Sequence, residues 1–104
     1  MGKNRTIKIL GNIIGNVVVH KIVVRHTNKP ESINHMTKEI GTYGQNAIEI
    51  AAEFNWNEKD KIKISEEALK KFQKNMENYY PDVVFPMNEV ESLIEETINE
   101  CLEA

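Results

Sequence analysis

The stretch Leu10–Val19 reads LGNIIGNVVV, and its two Gly-Asn pairs decide between two folds. Either pair can form a two-residue hairpin turn, because Gly takes a positive φ at no steric cost. Only Ile13 and Ile14 separate the pairs, too few for a strand, so at most one pair reverses the chain. Read instead as a helix at about 100° per residue, the segment places Ile7, Ile9, Leu10, Ile13, Ile14, Val17 and Val18 on one half. Lys8, Gly11, Asn12, Gly15 and Asn16 take the other. The pattern fails after Val18, because Val19, Ile22 and Val23 land on the polar half. The glycines, asparagines and β-branched residues each oppose a helix by a fraction of about 1 kcal/mol.

A hairpin turning at Gly15-Asn16 sets Ile14 against Val17 and Ile7 against Val24. One face carries Ile7, Ile9, Gly11 and Ile13 opposite Val18, His20, Ile22 and Val24. The other carries Lys8, Leu10, Asn12 and Ile14 opposite Val17, Val19, Lys21 and Val23. Turning at Gly11-Asn12 instead would strand Gly15 and Asn16 inside the second strand. The expectation is therefore a β-hairpin over residues 7–24, with the continuous helix as the alternative.

Beyond it, Pro30 suits a first helical turn, with Thr27 or Asn28 as caps. Ile33, Met36, Ile40, Tyr43, Ala47, Ile50 and Phe54 then repeat every three or four residues, the strongest helical signal in the chain. Gly41 and Gly44 weaken that helix and, with Ile48 and Ala51, form a small-residue stripe. KIKIS reads as a short strand holding Ile62 and Ile64, with Ser65 capping a helix through Ala68, Leu69, Phe72 and Met76. Pro81 ends that helix. DVVF reads as an edge strand between Pro81 and Pro86. Asn88 and Glu91 have capping-box spacing ahead of a last helix lined by Val90, Leu93, Ile94, Ile98, Cys101 and Leu102. The order gives an α+β fold: an N-terminal β-hairpin in a small sheet, three helices packed mainly on one face. An all-α bundle is the alternative.

At 104 residues and 40% apolar content the chain suits a single domain, 1–104, with one modest core. One cysteine, Cys101, allows no internal disulfide and fits a reducing, cytoplasmic setting. Residues 7–24 are the most apolar, but Lys8, Asn12, Asn16, His20 and Lys21 interrupt them too often for a membrane span. Gly2 followed by Thr6 matches the bare N-myristoylation pattern, for which an ordinary start is the simpler reading. The net charge of −3 hides a split: +6 before Pro30 and −9 from Pro30 onward.

Signatures of catalysis and cofactor binding are missing: no phosphate loop, no cysteine pair, no Gly-x-Ser-x-Gly, no His-Glu-x-x-His. Catalysis is not expected, nor is a cofactor or metal. His20, His35 and Glu39 are the one set whose geometry allows a metal site, since His35 and Glu39 share a helix side. The simpler reading makes His20 a core residue and His35–Glu39 a surface pair. Two binding readings follow. In the first, Lys8, Lys21 and Arg25 share the hairpin's outer face and contact nucleic-acid phosphates. In the second, Leu10, Ile14, Val17, Val19 and Val23 form an exposed apolar patch that a second copy covers, giving a homodimer.

Overall fold

The computed structural model describes residues 2–27, 31 and 33–103, and these form four helices. They are α1 (Lys3–His26), α2 (Ile33–Ala51), α3 (Glu58–Tyr79) and α4 (Met87–Leu102). Among the described residues there is no strand, so the α+β reading is overturned and the all-helical alternative holds. Residues 7–24 wind as one helix straight through both Gly-Asn pairs, and neither glycine of α1 has a positive φ.

A one-sided apolar pattern is the wrong expectation for a helix in the position of α1. A helix with one apolar face is the signature of a surface helix, whereas one buried on several sides is apolar nearly all round. α1 is of the second kind. α2, α3 and α4 all pack against it, and α4 also touches α2 and α3. Leu10, Ile14, Val18 and Ile22 form a completely buried row, and Val17, Val19 and Val23 are buried beside it. The residues that spoiled the one-sided pattern are thus core residues facing a different neighbour.

The glycines of α1 have a packing role. A Cβ at Gly15 would lie 2.7 Å from the Ala68 carbonyl oxygen and 2.8 Å from Lys71 Cβ, and one at Gly11 would overlap Glu67 Cβ. The Gly11–Gly15 spacing of four puts both on one side of the helix, where the α3 backbone lies against them. Asn16 and Asn75 extend the seam with a side-chain hydrogen bond. Contacts advance together along both helices: Lys3 meets Asp60, Gly11 meets Glu67, Gly15 meets Lys71 and Asn16 meets Asn75. α1 and α3 therefore run parallel. α2 and α4 run the other way, since His20 meets Glu39, Lys3 meets Asn55, and Arg25 meets Glu89. A 24-residue helix spans about 36 Å, which accounts for the 40 Å long axis.

The other predicted strands also dissolve. α3 begins at Glu58, where the Asn57 side chain accepts from the Asp60 N–H and Asp60 accepts from the Asn57 N–H. This capping box starts the helix ahead of KIKIS, so Ile62, Ile64 and Ser65 sit inside it. Residues 82–85 pack Val83 and Phe85 inward and leave Val84 out, alternating like a strand but with no partner strand. The Phe85 ring meets Phe72 edge-on at 5.3 Å. Asn88 does not cap α4: the N-cap is Pro86 and no side chain bonds there. α2 runs unbroken through Gly41 and Gly44, as the periodicity predicts. Pro30 and Asn28 lie outside the described residues, and Thr27 caps the end of α1, its N–H donating to the Val23 carbonyl at 2.8 Å.

By length and composition α1 is a helix that could cross a membrane, but 56% of its apolar window is buried by the rest of the fold. The buried residues of all four helices make one continuous core.

Candidate functional site

The cations proposed for nucleic acid separate once α1 is a helix. Lys21 and Arg25 lie about 40° apart on it, while Lys8 is about 100° or more from either. Lys21 donates to Thr97 Oγ1 at 2.9 Å and lies 3.6 Å from Glu100. Arg25 pairs with Glu89 at 3.1 Å. Lys8 is exposed and forms no ion pair with the described residues. Lys3 is also engaged, 2.6 Å from Asp60, 2.7 Å from the Asn55 carbonyl and over the Trp56 ring. Much of the charge split in the sequence is therefore met within the chain, with cations of α1 docked on acids of α3 and α4. Lys3 and the Asn57 N–H hold the Asp60 carboxyl below its ordinary range. His26 and then Arg25 do the same for Glu89.

The patch proposed for a homodimer is interior. Leu10, Ile14, Val17, Val19 and Val23 are all at most 2% exposed. They looked available only because a hairpin leaves one face uncovered, whereas a central helix leaves these positions covered by its neighbours.

The histidines come together in part. His20 and His26 do not share a face: His20 looks toward α2 and His26 toward Glu89 of α4, at 2.9 Å. His20, His35 and Glu39 do converge. Glu39 Oε2 is 2.7 Å from His20 Nε2, and its Oε1 is 2.8 Å from His35 Nε2. The carboxylate lies between the two rings, each nitrogen aimed at its own oxygen. Among the described residues no group of three His, Cys, Asp or Glu is arranged to hold a metal ion. The other ring nitrogen of His20 is 2.7 Å from the Asn16 carbonyl, and Tyr43 stands over the ring with centroids 5.9 Å apart.

A different feature carries the features of a binding surface. Between α3 and α4 runs an open groove of about 500 Å³, with Glu58, Glu91, Glu95 and Glu103 along it and Ile62 and Ile98 beneath. Lys61 bonds Glu103 at 2.8 Å and approaches Glu58 at 3.9 Å, and the bond to Glu103 raises its pKa. Glu91 and Glu95, one turn apart, form no ion pair with the described residues. Ile62 is 57% exposed. The sequence held a signal for this: on a helix Ile62 and Ile64 lie about 200° apart, so only one can join the core. Reading KIKIS as a strand concealed it. Comparison with protein-family models, curated proteins and solved structures returns no match.

Proposed function

We propose that the protein works by binding and not by catalysis, and that its ligand is a basic, amphipathic segment of another protein held in the α3–α4 groove. A reducing, cytoplasmic setting belongs to this reading, in keeping with a single, free cysteine, Cys101. The observation that carries the reading is the pairing of exposed Ile62 with the unneutralised Glu91 and Glu95 along one groove. An apolar side chain of the segment covers Ile62 while its Lys or Arg residues face the carboxylates. Nucleic acid fits less well, since Lys21 and Arg25 are turned to α4 and the open groove is acidic.

Magnitudes rank the contacts. Covering an isoleucine contributes about 1.5–3 kcal/mol, whereas an exposed ion pair contributes about 0–1 kcal/mol. Ile62→Asp should therefore weaken binding more than Glu91→Gln with Glu95→Gln, and the loss from the two glutamines should shrink as salt rises. The test is titration with a synthetic amphipathic helix of Lys and Leu, its sequence-scrambled version and duplex DNA. Tighter binding of the amphipathic peptide, lost in I62D, supports the reading. Equal binding of the scrambled peptide, indifference to I62D, or preference for DNA overturns it.

A further inference from the structure

We propose that His20 and Glu39 form a proton-operated clasp that fixes the first half of α2 on α1. His20 Nδ1 is 2.7 Å from the Asn16 carbonyl oxygen, and Nε2 is 2.7 Å from Glu39 Oε2. Both partners are acceptors. A neutral imidazole has one N–H and one lone pair, so it serves only one of them. The arrangement holds one proton more than a neutral ring beside a carboxylate supplies. With that proton the ring donates at both ends, and the Glu39 bond is charge-assisted. Without it the ring serves one partner at a time: the Nε2–H tautomer keeps Glu39 by a weaker bond with a lone pair against the Asn16 carbonyl, and the Nδ1–H tautomer turns a lone pair on the carboxylate.

The surroundings make this contact matter. Of α2 only Met36, Ala47 and Ala51 are buried, fewer than in any other helix. Met36 is the only one of them in the first half, where Ile33 and Ile40 are half-buried, so the Glu39–His20 contact adds to a thin apolar contact there. The groups facing the ring from α2 are Glu39, Tyr43 and, beyond the carboxylate, His35. On α1 the neighbouring Lys21 is directed away, toward Thr97 and Glu100 of α4. No ion pair joins the ring to α3 or α4 among the described residues. His20 is 14% exposed at the side chain and His35 75%. His35 therefore meets Glu39 from the solvent side and is not part of the helix–helix contact. The clasp is tight where the ring carries its second proton and loosens when that proton leaves.

The experiment is NMR on the full chain, following the His20 ring resonance and amide exchange in α2 and α3 across the range where imidazoles ordinarily titrate, about pH 6.5. As the His20 ring deprotonates, protection of the Glu39–Tyr43 amides should fall about tenfold, the loss of one charge-assisted hydrogen bond, while α3 amides stay level. His20→Gln should remove the step and His35→Gln should keep it. Should H20Q not fold, Glu39→Gln carries the same test from the α2 side. Protection that ignores the His20 titration, or a step that persists in H20Q or E39Q, overturns the clasp.

Discussion

Gly11 and Gly15 on α1 and Gly41 and Gly44 on α2 are the same residue in the same secondary structure, yet they sit in opposite surroundings. Each costs its helix about 1 kcal/mol relative to alanine. On α1 the missing side chains let α3 approach within 3 Å of where a Cβ would stand, with its backbone at Gly15 and with Glu67 Cβ at Gly11. Buried contact along that seam offsets the loss. On α2 a Cβ at either glycine would meet nothing within 4 Å, so the cost is not recovered by packing. A glycine in a helix therefore has a meaning only once its neighbour is known, and the sequence shows the glycine without the neighbour.

The comparison is open to attack at several points. Gly15→Ala should have the largest effect, because its Cβ meets a backbone oxygen that cannot step aside. A loss of about 2 kcal/mol in denaturant unfolding is expected, even after the gain in helix propensity. Gly11→Ala should lose stability too. Gly41→Ala with Gly44→Ala should do the reverse, raising stability by about 1 kcal/mol per site, because both positions are open. A third probe lies along the α1–α3 seam: Asn75→Ala removes the partner of the Asn16 amide and should cost about 1 kcal/mol.

The smallest effect is at the beginning of the seam, where Lys3 holds Asp60. A carboxyl held below its ordinary pKa adds stability above about pH 4 and loses it as pH falls through the lowered folded value. Asp60 and Glu89 are both of this kind. Melting temperature should thus drop on acidification from pH 6 to pH 3, and Lys3→Met should flatten part of that drop. An equal acid response in both proteins would remove Lys3 from the account.

α2 was legible because it is the peripheral helix: with one face to the core, its apolar residues recur at helical spacing from Ile33 through Ala47. α4 was legible for the same reason. α1 was not, because a central helix has lost the contrast that periodicity measures, and its polar residues each serve a different neighbour. His20 reaches α2, Asn16 reaches α3 and Lys21 reaches α4. The start of α3 was misplaced because its cap is Asn57 with Asp60, a capping box written without Ser, Thr or Glu. Of the sites, the meeting of His20, His35 and Glu39 was open to sequence reasoning through an i,i+4 spacing, but the simpler reading, a core His20 apart from a His35–Glu39 surface pair, was preferred, and the structure joins them. The α3–α4 groove was not foreseen, since its residues come from two helices whose pairing no local pattern encodes.

α1 is one continuous helix, and its Gly15 lies against the backbone of α3. Nuclear Overhauser contacts from the Gly15 α-protons read both features at once. Contacts to Ala68 and Lys71, with sequential amide contacts unbroken from Ile7 to Val24, are the expected result. Cross-strand contacts such as Ile13 to Val18, with none from Gly15 to α3, would contradict both.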